Sequence, residues 1–533
     1  MIKKRDLKWR YWLFLRKTPK YDKELNSSKT SFYRSFNLFI NILVINNAVI
    51  PKYLKDSFIY IRFMMSGCDI FVKKIYKKIL KQAKYFLKIL FVFFPTSNIR
   101  NKEKKNKIVI IGGYGWLDIG DEAMPRTDLI NIRKKMPDVD IVMLSPSPKD
   151  TTAYHKERSI YDLNGVNWLD GNYKARVKGF VKFLIIIIGA IFQRINIRLR
   201  LFNDIRAILD EFVTSKILFN VGGGNLNSIM VNELSKKGTL YIVAKILGLK
   251  IILSGQTIGP FYRKIDASFA RRILNLPNLI TLRDKEISIE RLKSIGVTRP
   301  EIISTADDAI DLPSITEEEA KKIISDTDNK GWGKIFCDYV IGLNMKASLS
   351  CFSGLNNISL DESNTKLAKL INYLLESYNC KIILIPTDFS NSTDDRVCHR
   401  QIYEQVEKRE RVLNIDIELD DKSLKGIIAL CNCVIGARYH FCVFAASSYV
   451  PFLGIANGLY QKTKLQGLAY LSELPECYIE NDLDEIDEKE LFKRADWLIE
   501  NLLFCKEILH KKVPILIKKS QISIDKAVDY LNF

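Results

Sequence analysis

Short apolar runs that end in glycine or a small polar residue recur along the chain from residue 107 onward. The run Lys107-Ile-Val-Ile-Ile-Gly-Gly leads into a helical pattern from about Asp121 to Lys135, and a second run begins at Asp140. Continuous apolar runs of this length are typical of buried parallel strands. Their alternation with helical patterns predicts an α/β fold in which helices cover both faces of parallel sheets.

The strand–helix pattern falls into two blocks. Residues 107–312 form the first and residues 336–533 the second, which ends in helical patterns. Residues 313–335 are acidic and polar and then contain glycine, so we interpret them as a linker. We expect two Rossmann-like domains that face a cleft, with ligands at the carboxyl ends of the strands.

Positive charge is concentrated in residues 1–106, which lack this alternation and are expected to be largely helical. They contain 25 lysines or arginines and 6 acidic residues, so they carry +19 of the net charge of +21. Basic extensions bind anionic surfaces, commonly lipid headgroups or nucleic acid. Because the extension matches no groove-reading motif, we expect no nucleic-acid partner.

The segment Phe71–Leu90 of this extension has two distinct helical faces. Seven lysines share one arc of the helical wheel, and large apolar residues such as Ile75 and Phe86 share the opposite arc. A helix of this kind lies in the interface of an anionic membrane. Docking of the helix on the body of the protein fits the pattern as well. The segment Arg176–Arg200, an isoleucine-rich core between basic flanks, leaves the same two interpretations open.

Membrane spans and metal sites are not predicted. The longest uncharged apolar runs, Phe183–Phe192 and Ile89–Pro95, are shorter than the roughly 20 residues that a spanning helix needs. Ten cysteines are scattered, and their one close pair, Cys431 and Cys433, has no second pair at zinc-ligand spacing. We predict reduced thiols and a cytoplasmic protein, attached to the inner face of the cell membrane if the extension binds lipid.

Two glycine loops follow strands of the first block. Glycine lets a ligand approach the backbone closely, so these loops supply five candidate substrate-binding residues: Gly112, Gly113, Gly222, Gly223 and Gly224. Neither loop has the Gly-x-Gly-x-x-Gly spacing of a dinucleotide site, so NAD is not expected. Asp121, which ends the first loop, is interpreted either as a helix N-cap or as a group with a sugar-hydroxyl-binding or proton-transfer role.

Two arginines and a histidine follow other strands. Arg283 can hold a phosphate or a carboxylate with a bidentate fork, or it can pair with the neighbouring Asp284. Arg438 and His440 lie two residues apart after the strand that ends at Gly436. They combine a permanent cation with a titratable imidazole, which favours a catalytic role.

The order of the motifs is more specific than any single motif. Gly-Tyr-Gly-x-x-x-x-Gly-Asp-Glu-Ala precedes Gly-Gly-Gly-x-Leu, Gly-Gln-x-Ile-Gly-Pro, Leu-Arg-Asp-x-Glu, Thr-Ala-Asp-Asp and Ile-Gly-Ala-Arg-x-His. From about Lys107 to Leu474 the chain resembles the polysaccharide pyruvyltransferase family. The resemblance implies a GT-B-like fold, phosphoenolpyruvate as the donor substrate with no other cofactor, and a ketal product on a cell-surface glycan or its lipid-linked precursor.

The resemblance also implies roles for individual residues. The family's Gly-Asp acid falls on Asp121, its arginine after a strand on Arg283, and its Arg-Leu-His triplet on Arg438, Tyr439 and His440. In a mechanism consistent with these residues, both arginines hold the donor's phosphate and carboxylate. His440 as imidazolium protonates the donor's methylene carbon, and Asp121 accepts or orients the proton of the attacking hydroxyl.

Three departures from the family's pattern concern the acceptor more than the donor. Asp118 stands where many members have Asn, Tyr439 stands for Leu, and the acid that often follows the second glycine loop is missing. A GT-B glycosyltransferase that uses a nucleotide sugar is the main alternative, since it would share the domains and the glycine loops. A membrane-bound scaffold with a degenerate body is disfavoured because the motif residues are all present.

Overall fold

The computed structural model describes residues 96–98, 104–116, 118–199, 201–284, 286–346, 360–390, 393–456, 458–483 and 485–532. The predicted membrane-binding helix at Phe71–Leu90 lies outside the described residues, so its role stays a prediction. None of the helices in the described ranges is long and apolar enough to cross a bilayer.

The predicted apolar runs form the strands of two parallel sheets. The run at Lys107, for example, is a strand buried at every position. The strands are β1 (Thr96–Asn98), β2 (Lys107–Ile111), β3 (Asp140–Ser145), β4 (Ser159–Tyr161), β5 (Ile197–Leu199), β6 (Ile217–Asn220), β7 (Gly223–Leu226), β8 (Lys250–Ile258), β9 (Leu279–Leu282), β10 (Glu301–Ser304), β11 (Tyr339–Asn344), β12 (Cys380–Leu384), β13 (Val412–Asn414), β14 (Cys433–Gly436), β15 (Phe452–Ala456) and β16 (Tyr478–Asp482).

The first sheet has the order β10-β9-β8-β6-β2-β3-β4, with β7 paired to β8, and the second has the order β13-β12-β11-β14-β15-β16, whereas β1 and β5 belong to neither sheet. Neighbouring strands are parallel throughout, for example β2 with β6 and β11 with β14. Two parallel sheets, each wrapped by helices, confirm the predicted α/β class with two Rossmann-like layers.

Helices connect the strands and cover the sheets. They are α1 (Ile119–Lys135), α2 (Pro148–His155), α3 (Tyr173–Arg194), α4 (Asn203–Thr214), α5 (Val231–Leu247), α6 (Lys264–Ile273), α7 (Ile287–Ile295), α8 (Glu317–Thr327), α9 (Leu360–Ser377), α10 (Asp395–Glu404), α11 (Asp421–Ala429), α12 (Tyr439–Ser447), α13 (Leu459–Leu471), α14 (Glu488–Glu500), α15 (Leu502–Ser520) and α16 (Ile522–Asn532). In α3, the isoleucine-rich segment, Ile186 and Ile187 are buried, as expected for a helix packed in the first domain.

Two parts of the chain differ from the predicted organisation. The stretch predicted as a linker contains α8, because the side chain of Thr316 and that of Glu319 cap each other's backbone N–H in a capping box. The last helix, assigned from sequence to the second domain, packs on the first sheet. There Ile524, Ala527 and Leu531 join the core of β2 and β6. This return ties the two domains together.

The larger core links the two layers. It contains the second sheet together with Ile119, Ala123 and Met124 of α1 and Ala309 from the chain after β10. The helix that follows the first glycine loop therefore lies between the two domains rather than on an outer surface. Eight cysteines in the described residues are unpaired thiols, and seven of them are buried.

Candidate functional site

A cavity of about 440 Å³ lies between the two sheets, at the carboxyl ends of their strands. Its wall is formed by α1 and the end of β9 from the first domain and by the start of α12 and α13 from the second domain. Its wall contains Trp116, Asp118, Gly120, Asp121, Gly224, Asn225, Met230, Arg283, Lys346, Thr387, Asp388, Ser390, Thr393, Ala437, Arg438, Tyr439, His440, Tyr460, Gln461, Lys464 and Leu465. The cleft predicted from the strand pattern is thus the location of the candidate site.

Asp118 is the N-cap of α1, the helix that carries Asp121. Its Oδ1 accepts hydrogen bonds from the backbone N–H groups of Gly120 at 3.0 Å and Asp121 at 3.4 Å. The N-cap interpretation of Asp121 is therefore wrong, because Asp118 fills that position and α1 begins two residues before Asp121. Asp121 lies in the first turn and reaches the cavity.

The neighbouring Glu122 has a structural role. Its carboxylate accepts a hydrogen bond from the Gly115 N–H at 2.6 Å and contacts His155 Nε2 at 2.9 Å. Of the two adjacent acids in the Gly-Asp-Glu motif, Asp121 faces the cavity and Glu122 anchors the glycine loop.

The surroundings of Asp121 favour its protonated form. Burial, and next the negative charge of Asp118, raise the pKa of Asp121 to about 8. A carboxyl group in this state can donate a proton, which an ordinary aspartate cannot do at neutral pH.

His440 has the opposite shift. It follows the first residue of α12, and its Nε2 lies 3.7 Å from Asp307 Oδ2, too far for a hydrogen bond. Burial is the largest cause that lowers the pKa of His440, to about 3, so the imidazole is neutral. A neutral imidazole can accept a proton, and the nearby Asp307 carboxylate stabilises the cation that results.

The directions of these two pKa shifts are opposite to those that the expected roles would need. Burial favours the neutral form of His440, the expected acid, and the protonated form of Asp121, the expected base. The identities of the residues were predicted, but their protonation states depend on burial and on neighbours that the motifs do not reveal.

Arg283 is buried at the end of β9. Its Nη1 donates to Asp307 at 2.6 Å and its Nε to Thr257 Oγ1 at 3.0 Å, while its guanidinium lies 4.6 Å from the centre of the Tyr439 ring. The suggested surface pair with Asp284 does not form, because Asp284 instead accepts hydrogen bonds from Ser288. Asp307 thus fixes the guanidinium at the wall of the cavity.

Arg438 is surrounded by carboxylates. Its Nη2 lies 2.6 Å from Asp395 and 2.9 Å from Asp388, and its Nη1 lies 3.9 Å from Asp118. With this many acidic partners the guanidinium is neutralised locally, and it joins α1 of the first domain to α10 of the second. Arg438 therefore organises the wall more than it adds positive charge to the cavity.

The predicted glycines divide into two groups. Gly224 lines the cavity, whereas Gly112, Gly113, Gly222 and Gly223 are outside its wall. A Cβ added at Gly112 would lie 2.4 Å from Val221, so this glycine is needed for packing. The N–H of Gly222 donates to Asp308 Oδ2 at 2.8 Å. The second glycine loop is thus held by protein contacts.

Several residues of the site were not assigned from sequence. Lys464, Tyr460 and Lys346 line the cavity but belong to no motif that the sequence made visible. Asp307 and Asp308 belong to the Thr-Ala-Asp-Asp motif, for which the sequence suggested no individual roles. The structure gives each a partner, since Asp307 holds Arg283 and Asp308 holds the second glycine loop.

Gly120 packs directly against His440, and its replacement tests how tightly the two residues fit together. A Cβ at this position would lie 1.9 Å from His440 Nδ1, so we expect Gly120→Ala to displace the imidazole and to lower turnover at least about 100-fold. Gly333→Ala is the control, because its Cβ meets only Asp328 at 3.4 Å. Turnover of the Gly120 variant within threefold of the control's would contradict this packing.

Asp118, Asp121 and His440 have the composition of a small metal site, with ligand atoms within 4.8 Å of one another. The cationic side chains of Lys464 and Arg283 act on Asp121, and they would repel a metal cation at this place. The residues therefore fit an anionic ligand better than a metal, and the absence of a metal site stays a prediction.

Comparisons with known proteins identify the family. The family model described as polysaccharide pyruvyl transferase matches residues 118–458, more than half of the 533-residue chain. No protein in the curated set matches the sequence significantly.

Solved structures resemble the fold. A protein assigned as a UDP-N-acetylglucosamine 2-epimerase from Listeria monocytogenes has 12% identity and a TM-score of 0.50 over 80% of this chain and 95% of its own. The MnaA–UDP structure from S. aureus has 11% identity and a TM-score of 0.48 over 80% of this chain and 96% of its own. At such identity the likeness concerns the fold alone.

The match covers the acid of the first glycine loop, the arginine after β9 and the Arg-x-His triplet, and all of these meet in one cavity between two Rossmann-like domains. The chain is a transferase with a GT-B-like fold and belongs to the polysaccharide pyruvyl transferase family.

Proposed function

We propose that the protein transfers a pyruvyl group from phosphoenolpyruvate to two hydroxyls of a cell-surface glycan or its lipid-linked precursor, forming a ketal. One observation carries the proposal: a proton donor, Asp121, and a neutral imidazole, His440, share one cavity with cationic side chains. The reaction requires both protonation of carbon and deprotonation of a hydroxyl, and it uses a donor with a phosphate and a carboxylate.

The first chemical step joins the acceptor to the donor. The carboxyl of Asp121 gives its proton to the methylene carbon of phosphoenolpyruvate, while an acceptor hydroxyl attacks the adjacent carbon and gives its proton to His440. The carbon–carbon double bond becomes a single bond to a methyl group. The donor's negative charge raises the pKa of the neighbouring imidazole, which makes His440 a stronger base when the donor is bound.

The second step closes the ketal and restores the enzyme. The bond between the ketal carbon and the phosphate oxygen breaks, and the imidazolium of His440 protonates the departing phosphate. The second acceptor hydroxyl bonds to the same carbon and gives its proton to the Asp121 carboxylate. The proton of the first hydroxyl thus ends on phosphate, and the proton of the second hydroxyl replaces the one that Asp121 gave to the methyl group, so both groups return to their starting states.

The pairing of Asp307 with two groups supports this cycle. Its carboxylate binds Arg283 at 2.6 Å and lies 3.7 Å from His440, and its pKa is held below the usual value, with Arg283 the largest stabilising influence. An aspartate that stays ionised keeps the arginine in place and stabilises the imidazolium formed between the two steps.

A direct test compares donors and then looks for product. We expect phosphoenolpyruvate at millimolar concentration to raise the melting temperature, since a ligand of the folded state stabilises it. Incubation with cell-envelope glycan precursors should then release phosphate and yield a pyruvylated product in the mass spectrum. A shift with a nucleotide sugar and none with phosphoenolpyruvate would instead assign the protein to the nucleotide-sugar glycosyltransferases.

A further inference from the structure

Lys237 of α5 is a lysine that the protein encloses almost completely. Its side chain belongs to a residue that is 1% exposed, and its Nζ donates a hydrogen bond to Asn225 Oδ1 at 2.6 Å. Burial is the largest cause that lowers the pKa of Lys237, to about 8. Enclosing an ammonium group costs free energy, so the contact with Asn225 needs a physical reason.

The carboxylates near this part of α5 bind the neighbouring lysine instead. The Nζ of Lys236 lies 2.8 Å from Asp162 and 2.7 Å from Glu233. Among the residues that the structure describes, Lys237 forms no ion pair, and Asn225 is its hydrogen-bond partner. Lys237 therefore acts on the side chain of Asn225 and not on a carboxylate.

This hydrogen bond fixes the orientation of the Asn225 amide. An ammonium group has only donors, so the amide atom that faces Lys237 must be the oxygen, and the amide nitrogen lies on the other side. Asn225 is part of the cavity wall and is 8% exposed. Within the described ranges its Nδ2 has no hydrogen-bond partner, and it is not enclosed by protein. The cavity thus presents a neutral N–H donor whose direction is set from behind.

The turn between β7, which carries Asn225, and α5, which carries Lys237, is held by its own hydrogen bonds. The Oδ1 of Asn227 accepts from the N–H groups of Ile229 at 2.8 Å and Met230 at 2.7 Å. A side chain that closes a turn in this way stabilises one backbone conformation. The relative position of the lysine and the amide is therefore fixed by the local structure.

The amide nitrogen lies close to the catalytic acid. A Cβ added at Gly113 would be 3.0 Å from Asn225 Nδ2 and 3.4 Å from Asp121 Oδ2, so the two side chains converge beside this glycine. A hydroxyl that contacts both groups accepts a hydrogen bond from the amide and directs its own proton toward the carboxylate. The second step of the proposed reaction needs this arrangement, because the second acceptor hydroxyl gives its proton to Asp121.

Resting on the proposed function, we infer that Asn225 binds the second acceptor hydroxyl and that Lys237 is the positioning residue that turns the amide nitrogen toward it. A neutral N–H donor suits a neutral hydroxyl, whereas the guanidinium of Arg283 suits an anionic group of the donor. Without Lys237 the amide can rotate by half a turn and present its oxygen, so the hydroxyl loses its hydrogen-bond donor.

The experiment is a double-mutant cycle of Lys237→Met, Asn225→Ala and the double variant. Lys245→Met is the matched control, because Lys245 lies further along α5 and outside the cavity wall. The probes are the methyl glycosides of glucose, galactose, mannose and N-acetylglucosamine, which are neutral and carry neighbouring hydroxyls. Saturation-transfer NMR titration measures their affinity, calorimetry measures the affinity for phosphoenolpyruvate, and thermal melting checks that each variant is folded.

We expect each single variant to bind the tightest of these glycosides about 3- to 10-fold more weakly than the wild type, the loss of one neutral hydrogen bond. The double variant should bind it no more weakly than Asn225→Ala, because Lys237 acts through Asn225. The affinity for phosphoenolpyruvate should stay unchanged, and Lys245→Met should match the wild type. If Asn225→Ala folds poorly because it leaves a buried ammonium group without a partner, the double variant is compared with Lys237→Met and should bind the glycoside equally weakly.

The outcomes distinguish this inference from the function on which it rests. Unchanged glycoside affinity in all variants, or a wild type that binds phosphoenolpyruvate but no glycoside, would overturn the inference and leave the proposed donor intact. Additive losses in the double variant would overturn the positioning role of Lys237. Weaker binding of phosphoenolpyruvate with unchanged glycoside affinity would overturn the assignment of Asn225 to a hydroxyl. A wild type that binds a glycoside but not phosphoenolpyruvate, with glycoside affinity lost in the variants, would support Asn225 as a sugar ligand and overturn the proposed donor.

Discussion

Asp121→Asn is expected to lower turnover with phosphoenolpyruvate by roughly 10²–10⁴, the usual contribution of a positioned acid. The substitution keeps the shape of the side chain but removes the proton that the methylene carbon must receive. Turnover is measured as phosphate release at saturating donor. Asp138→Asn, at an exposed aspartate outside the cavity, is the control and should retain wild-type turnover.

Asp121→Asn should also change how the free energy of unfolding depends on pH. The pKa of Asp121 is about 8 in the folded protein, well above its ordinary value of 3.8, so between about pH 4 and 8 the folded state holds a proton that the unfolded state releases. The free energy of unfolding contributed by Asp121 therefore falls as pH rises through this window. Asp121→Asn should weaken that pH dependence. A variant that keeps both its turnover and the wild-type pH dependence would refute the assignment of Asp121 as the acid.

Asp307→Asn is expected to destabilise the protein by about 3–5 kcal/mol, because it leaves the guanidinium of Arg283 buried without a counter-charge. Arg283 and Asp307 are 2% and 1% exposed at their side chains, so water cannot replace the missing partner. Donor binding should weaken as well, since Asp307 also holds the arginine at the cavity wall. Urea denaturation measures the free energy of unfolding, and calorimetry measures the affinity for phosphoenolpyruvate.

A surface pair provides the matched control for Asp307. Lys369 and Glu488 form an ion pair at 2.7 Å, but their side chains are 52% and 38% exposed. Glu488→Gln should cost less than about 1 kcal/mol, because water solvates the lysine that remains. Equal and small losses in both variants would mean that the Arg283–Asp307 pair contributes little to stability.

The position of the site could be predicted from the sequence because of the geometry of parallel sheets. Asp121, Arg283 and His440 all follow apolar runs, and the carboxyl ends of parallel strands meet at one edge of a sheet. The structure brings these three residues to one cavity although they are separated by more than 100 positions along the chain. Strand identity, the α/β class and the family were therefore determined by local pattern alone.

The linker and the last helix show where local pattern was insufficient. The capping box at Thr316 and Glu319 was present in the sequence, but acidic composition concealed it. The return of α16 to the first sheet depends on which apolar surface is left uncovered after both domains fold. The sequence of α16 by itself does not indicate which of the two sheets the helix packs on.

Tertiary contacts set the pKa values of the site residues. The motifs identified Asp121 and His440, but burial and neighbouring charges set each pKa, and the directions of these shifts are the reason that the proposed mechanism uses Asp121 as the acid and His440 as the base. Lys464 belongs to no motif, and it became visible only where α13 docks on the first domain. The sequence alone thus identified Asp121, Arg283 and His440 as residues that meet, whereas the structure decided their charge states and their other neighbours, since these depend on distances between residues far apart in the chain.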